Sequence, residues 1–367
     1  MANIIIYGGS FDPIHNGHIK IALEAHEKYD AKVIFVPSKY PRWKEPSAKA
    51  IHRLNMLKLA LKPYANFFTI DTYELDNEQD PNYTIDTLKY YVNQFPNDQL
   101  FLLIGEDQVD KFHEWKDANK ISELVQIVYY ERDDANHENA SKNILKYHME
   151  KLDGDLSNTS STDIRNMKSI DTPLVVLKYI MDKNLYFAKQ VRSYYSSARY
   201  EHVCSTAETA YLIAMVNESI DVYKTFIAAY LHDLGKDASK TLYDECMEGE
   251  FSRFENLPPY CLHQFVGRYI AEHDFNIEDE DILDAIEYHC TGKAHMSNVA
   301  KVVYASDKIE PTRGYNSQDL MNACMKDIES GFITVLRENK KYIDSKKQKN
   351  EKNFLSEECF NYYLKDN

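Results

Sequence analysis

The strongest constraint on this chain is a change of rhythm. Up to about residue 190, short apolar runs alternate with amphipathic stretches, and after Ser193 only helical periodicity remains. Runs at 4–7, 32–36, 67–70, 100–104 and 124–130 predict buried strands, with helices at 17–28, 52–61, 84–95 and 108–115. Strands alternating with helices form a parallel sheet covered on both faces, so this part reads as an α/β, Rossmann-like doubly wound sheet. Pro173 opens a last helix running to about Lys183. Beyond it, helices are expected at 197–216, 221–236, 263–273, 279–290, 296–309 and 317–337, an all-α bundle. The lysine-rich run 340–352 is expected as solvated helix or loop. The boundary falls near 188–192, giving domains at 1–188 and 192–367.

The length of 367 residues accommodates two such domains. With 43 Lys and Arg against 58 Asp and Glu, the net charge is −15, which argues against nucleic acid or an anionic membrane as the main partner. No apolar run approaches the ~20 residues of a membrane span. The N-terminal string lacks the basic region and apolar core of a secretory signal. All six cysteines lie in the second half and none forms a CxxC pair, so free thiols in a reducing cytoplasm are expected. Homo-oligomerisation is compatible with the sequence. Only 11 glycines occur, so each invites a physical reason.

Three of them fall in Gly8-Gly9-Ser10-Phe11-Asp12-Pro13-Ile14-His15-Asn16-Gly17-His18, between the first strand and the first helix. Gly8 and Gly9 let backbone amides approach a ligand. His15 and His18 are expected on one helix face, beside the free N–H groups of a helix start. Amides and two imidazoles suit a triphosphate. Without a GxGxxG pattern, a dinucleotide oxidoreductase is disfavoured.

The string resembles the (H/T)xGH nucleotidyltransferase superfamily. Ser160-Ser161-Thr162-Asp163-Ile164-Arg165 resembles that family's second motif, ISSTxIR. Within the superfamily, Asn82-Tyr83-Thr84-Ile85-Asp86-Thr87-Leu88 and Gly105-Glu106-Asp107 followed by Trp115 resemble segments of the bacterial nicotinate-nucleotide adenylyltransferases, over residues 3–187. The resemblance implies that Gly8, Gly9, Ser10, Phe11, Ser161 and Thr162 hold ATP, with His15, His18 and Arg165 catalytic. It implies that Thr84, Asp86, Gly105, Asp107 and Trp115 hold the pyridine nucleotide. Lys44, in Pro41-Arg42-Trp43-Lys44, resembles the lysine of PPHK, and Arg132 falls where the family has RPG. ATP with Mg²⁺ and nicotinate mononucleotide are the implied substrates, joined by in-line attack without a covalent enzyme intermediate.

The second half spaces His202, His232-Asp233, His263, His289 and Asp307 along helices. His289 continues the apolar stripe Ile282, Ala285, Ile286; His263 heads the stripe Val266, Gly267, Ile270; Asp307 ends the stripe Ala300, Val303, Tyr304. Buried carboxylates are rare unless paired or metal-bound. Four histidines and two aspartates converging inside a bundle suit a pair of transition-metal ions. His273 and His295 fit no such face and are expected at the surface.

This half resembles the HD-domain metal phosphohydrolases, whose H…HD…D ligands fall on His202, His232, Asp233 and Asp307; His263 and His289 match the dinuclear variants. The segments 285–292 and 305–313 resemble AIxYHTTG and ADKIEPxR of the symmetrical diadenosine-tetraphosphate hydrolases, over residues 192–340. That resemblance implies two metal ions, iron above others, cleavage of diadenosine tetraphosphate to two ADP, a bridging Asp233 and a phosphate contact from Lys236. The alternatives are a different acceptor nucleotide in front with another nucleotide phosphohydrolase behind, or a non-catalytic metal-bound sensor that regulates the front domain.

Overall fold

β1 (Asn3–Gly9), β2 (Ala31–Pro37), β3 (Phe68–Ile70), β4 (Gln99–Gly105), β5 (Gln126–Tyr130) and β6 (Glu150–Lys151) lie side by side in the order β3-β2-β1-β4-β5-β6. All neighbours are parallel. The computed structural model describes residues 1–39, 46–77, 82–131, 139–154, 159–314, 316–346 and 353–365. The chain divides into two compact units, Met1–Phe187 and Ala188–Asn367.

The strands read as continuous apolar runs because both sheet faces are covered. In β1, Ile4, Ile5, Ile6 and Tyr7 are each at most 6% exposed. From β1 the chain moves outward through β2 to β3, then returns to start β4 on the other side of β1. The carboxyl ends of β1 and β4 therefore flank the point where strand order reverses, where open α/β sheets bind their ligands.

Several elements differ from the sequence expectation. The strand expected at 124–130 begins at Gln126, because Leu124 closes a helix, Ala118–Leu124, that packs Ile121 into the core. The helix expected at 108–115 is two short turns, Glu106–Asp110 and Phe112–Glu114, which bury Val109 and Phe112. β6 is two exposed residues long, and the helix Ala140–Lys146 is also short; neither leaves a periodic signature.

The second unit is helical. Asp221, Ser239, Asp279 and Ser297 each cap a helix by accepting a backbone N–H from its first turn. The helix expected at 221–236 stops at Leu231, and residues 232–237 form tight turns. Gly235 explains the turn: a Cβ there would stand 2.2 Å from the His263 carbonyl oxygen, so only glycine lets the two segments touch. The helix expected at 317–337 is two helices, Gln318–Lys326 and Ile328–Lys346. Asp327 breaks the run by capping the second helix, accepting from Ser330 N at 2.8 Å. Two further helices, Lys240–Glu248 and Phe354–Leu364, were not expected. Among the described residues, no helix is long and apolar enough to cross a membrane. None of the six cysteines forms a disulfide.

Candidate active sites

In the first unit, two cavities meet at the carboxyl ends of β1 and β4, sharing Gly8, Gly9, Ser10, Asp107 and Gln108. One, of about 240 Å³, adds Phe11, Asp12, His18, Ser161, Thr162 and Arg165. The other, of about 440 Å³, adds Thr84, Glu74, Asn82, Lys116 and Trp115 among apolar side chains from the sheet. A Cβ on Gly8 would meet no atom of the described residues within 4 Å, whereas one on Gly9 would press on the Phe11 ring at 3.0 Å. Gly8 thus leaves its space to a ligand and Gly9 leaves it to Phe11.

His15 lies on the same side as His18, as the spacing implies, but just outside the helix. It is the N-cap residue of the helix Asn16–Tyr29, in extended conformation, and its ring is 1% exposed. It lies outside the lining of both cavities and stacks on His18 with ring centroids 3.7 Å apart. The His15 backbone N–H donates to His18 Nδ1 at 3.2 Å. A ring nitrogen that accepts carries no proton, so His18 is neutral with its N–H at Nε2. The first helical turn holds no acidic residue of its own; the Asp171 carboxylate accepts from the Asn16 side chain at its start, at 2.8 Å.

The second motif is fastened to the first. Ser161 Oγ donates to the Pro13 carbonyl at 2.8 Å, Arg165 Nη1 to the Asp12 carbonyl at 2.6 Å and Arg165 Nη2 to Thr162 Oγ1 at 2.8 Å. Two residues expected at the pyridine-nucleotide site line neither cavity. Asp86 pairs with Lys116 at 3.3 Å, and Gly105 makes room, since a Cβ there would lie 2.6 Å from Asp107 Oδ1. Lys44 and Arg132 lie outside the described residues. Glu74 was missed by sequence reasoning. Burial raises its carboxyl pKa against a 2.8 Å hydrogen bond from Thr87 Oγ1.

In the second unit, all six expected ligands come together. The ligand atoms of His202, His232 and Asp233, of His232, His289 and Asp307, and of Asp233, His263 and His289 each fall within 4.8 Å of one another. Asp233 Oδ1 lies 3.3 Å from His263 Nε2 and 3.4 Å from His289 Nε2, while its Oδ2 faces His202 Nε2 at 3.9 Å. Asp307 Oδ1 lies 3.1 Å from His202 Nε2 and 3.6 Å from His232 Nε2.

The hydrogen bonds behind the rings show that this set fits metal ions. His232 Nδ1 lies 2.6 Å from the Ala229 carbonyl and His289 Nδ1 2.7 Å from the Ile286 carbonyl. A carbonyl can only accept, so both Nδ1 atoms are protonated and both Nε2 atoms point lone pairs inward. His263 Nδ1 lies 2.9 Å from the Tyr260 carbonyl, an acceptor, and 3.2 Å from the Lys236 ammonium, a donor, so its ring is held from behind without one tautomer being imposed. His263 Nε2 and His289 Nε2 face each other at 3.0 Å, and His232 Nε2 is buried with no hydrogen-bond partner among the described residues. Burial holds His289 neutral, its pKa down to about 3, and lowers that of His263. His202 is backed instead by Glu310, with Nδ1 to Oε1 at 2.9 Å. Burial opposes charge on His202, but Asp307 and Glu310 raise its pKa to about 9.

Four cations surround these ligands, and sequence reasoning named only some of them. Arg199 Nη1 donates to Asp233 Oδ2 at 3.0 Å, Arg313 to Asp307, and Lys308 Nζ to Asp307 Oδ2 at 2.9 Å. The Lys236 ammonium lies 3.2 Å from His263 Nδ1 and forms no ion pair among the described residues. Arg199, one turn before His202, and Glu310, three residues after Asp307, carry the signal that was overlooked: both sit at helical spacing from a ligand. His273 and His295 are exposed, as expected.

The cytidylyltransferase-like family model matches residues 6–167, and the HD domain model matches residues 199–312. A Mycoplasma genitalium protein named as a probable nicotinate-nucleotide adenylyltransferase/Ap4A hydrolase is 28% identical over 346 residues, covering 91% of this chain and 97% of that protein. A probable nicotinate-nucleotide adenylyltransferase of Aquifex aeolicus is 45% identical over 131 residues, covering 35% of this chain and 77% of that protein. A solved Clostridium acetobutylicum structure, described as a predicted HD superfamily hydrolase involved in NAD metabolism, is 25% identical, covers 49% of this chain and 97% of its own, and has a TM-score of 0.42. By the Aquifex aeolicus relative and the two family models, the chain belongs, through its first unit, to the nicotinate-nucleotide adenylyltransferase family, and its second unit is an HD domain.

Proposed function

We propose that the chain is a bifunctional cytoplasmic enzyme. The first unit transfers AMP from ATP, carried with Mg²⁺, to nicotinate mononucleotide, giving deamido-NAD and pyrophosphate. The second hydrolyses diadenosine tetraphosphate symmetrically to two ADP. The observation that carries this reading is the similarity to the Mycoplasma genitalium protein across both units in one order, over 91% of this chain.

In the first unit, ATP lies with its phosphates in the cavity of Gly8, Gly9, Ser10 and Arg165, and the pyridine ring lies near Trp115 and Thr84. The acceptor phosphate attacks the α-phosphorus in line, the bond to the bridging oxygen breaks, and pyrophosphate leaves with the electron pair. The Nε2–H of His18 and the guanidinium of Arg165 stabilise charge on the phosphoryl oxygens, and the rest is positioning. His15 keeps the His18 ring in place.

In the second unit, His202, His232, Asp233 and Asp307 would hold one ion, and His263, His289 and a shared Asp233 the other. Such ions, iron above other metals, supply Lewis acidity to the phosphates and lower the pKa of a water. The chain's own part is to hold His232 and His289 with unprotonated Nε2 atoms turned inward and to offer Lys236 to a phosphate. One water and one diadenosine tetraphosphate give two ADP when the central anhydride breaks.

The test is anaerobic purification, metal analysis and ion-exchange separation of products from diadenosine tetraphosphate. ADP as sole product, lost in His232→Ala, supports the symmetrical reading. ATP plus AMP, or two bound metals without turnover, sinks it.

A further inference from the structure

A fully buried arginine stands behind the phosphate loop of the first unit. Arg53, on the helix Ala50–Leu61, is 1% exposed. Its guanidinium reaches carbonyls from three separate stretches: Nη1 to Ser10 at 2.6 Å, Nε to Ala48 at 3.3 Å and Nη2 to Lys39 at 3.4 Å. It forms no ion pair among the described residues. Arg53 shares its helix face with Met56, Leu57 and Ala60, all buried. An apolar side chain on that stripe would serve stability at least as well, since burying a charge costs more than burying a hydrocarbon.

Asp12 is the second part of the arrangement. Its carboxylate is taken up by backbone donors, with Oδ2 accepting from Ser47 N at 2.6 Å and Oδ1 from Ala48 N at 3.1 Å. The Tyr186 hydroxyl donates to the same Oδ1 at 2.7 Å. Burial and the Asp12 carboxylate keep this phenol protonated. Tyr186 lies 174 positions away in sequence and outside the 6–167 stretch matched by the family model. The Asp12 carbonyl in turn accepts from Arg165. Across a trans peptide, C=O and the following N–H point in opposite directions, so holding the Ser10 carbonyl turns the Phe11 N–H away from the guanidinium.

We propose that Arg53 and Tyr186 are positioning residues for ATP: they grip Ser10 and Asp12 from the buried side, so that the loop amides and Arg165 are set for the triphosphate before it arrives. Neither touches substrate. The proposal rests on reading the smaller cavity as the triphosphate site.

The test uses the full chain and calorimetric titration with a non-hydrolysable ATP analogue and, separately, with nicotinate mononucleotide. Tyr186→Phe keeps the ring and removes one hydroxyl. Arg53→Lys keeps the charge and loses the planar three-way grip. Both variants are expected to bind the ATP analogue about tenfold more weakly, the equivalent of one hydrogen bond to a charged group. Affinity for nicotinate mononucleotide and the thermal midpoint of Tyr186→Phe should stay near wild type. Unchanged ATP affinity in Tyr186→Phe overturns the proposal, as does equal weakening toward both ligands in step with a lower midpoint. If Arg53→Lys does not fold, Tyr186→Phe decides alone. A wild-type chain that binds the analogue but leaves nicotinate mononucleotide unadenylated overturns the acceptor assignment and leaves the grip standing.

Discussion

The two sites are built from different parts of the polypeptide. In the first unit, both cavities open on bare backbone at Gly8 and Gly9, the end of β1, and the smaller one also meets the start of a helix at His18. In the second, six side chains from helices and the turns that follow them come together, and the backbone fixes imidazole tautomers from behind. A backbone site is set by where the sheet topology reverses, and it tolerates many side chains provided the loop keeps its shape. A side-chain site has no such tolerance, because each ligand is an irreplaceable donor atom.

That contrast is broken most directly at Asp233, which faces both halves of the ligand cluster. Asp233→Asn, or stripping the metals with a chelator, should take hydrolysis of diadenosine tetraphosphate to background and leave adenylyl transfer in Mg²⁺ near wild type. Parallel assays of both reactions on one preparation check this. Loss of both activities together would mean that the two sites are not independent.

The next effect runs the other way. His18→Ala removes the Nε2–H donor from the first cavity and should lower kcat for adenylyl transfer by about 10²–10³, the loss seen when one donor to a developing charge is removed. Hydrolysis by the second unit should not change. His15→Ala should cost less than His18→Ala, because His15 acts through the neighbouring ring. Equal losses would place His15 on substrate.

Smaller again is the effect of the groups behind the ligands. Glu310 is fully buried and holds His202 Nδ1; burial notwithstanding, His202 and Thr312 keep its pKa near 2. Glu310→Gln should weaken metal binding by about 10–100-fold, measured by competition with a chelating dye. Unchanged affinity would show that His202 is oriented by its other contacts.

The same contrast decides what could be read from sequence. The first site was legible as a string, because a backbone site is contiguous: Gly8 to His18 and Ser160 to Arg165 each lie in one stretch. What stayed hidden there was long-range, such as Tyr186 reaching Asp12, or looked like noise, such as Arg53 on a stripe with Met56, Leu57 and Ala60. A charged residue on a buried face was the available signal for Arg53. In the second unit, His263, His289 and Asp307 could be picked out because each continued an apolar stripe, which a solvated residue has no cause to do, whereas His202 and the His232-Asp233 pair were picked out by their resemblance to the H…HD…D order. Arg199 and Glu310 escaped because their partners are not neighbours in sequence. Helix ends were also misplaced, at 232–236 and at 327, where a close glycine contact and an internal cap override periodicity.

The finest test of the contrast uses one methyl group in each unit. At Gly8 a Cβ would meet no atom of the described residues within 4 Å, in a position that lines both cavities. Gly8→Ala should therefore leave the thermal midpoint unchanged and raise the KM for ATP several-fold, since the methyl competes only with ligand. At Gly235 a Cβ would lie 2.2 Å from the His263 carbonyl oxygen and 2.7 Å from Gly267 N, both backbone atoms that cannot swing aside. Gly235→Ala should destabilise the second unit by about 1–3 kcal/mol and spread His232 and Asp233 away from His263, weakening metal binding. Scanning calorimetry with ATP and metal titrations separates the two outcomes. A Gly8→Ala chain that melts early, or a Gly235→Ala chain that binds metal normally, would show that the loop and the cluster are less different in construction than their geometry says.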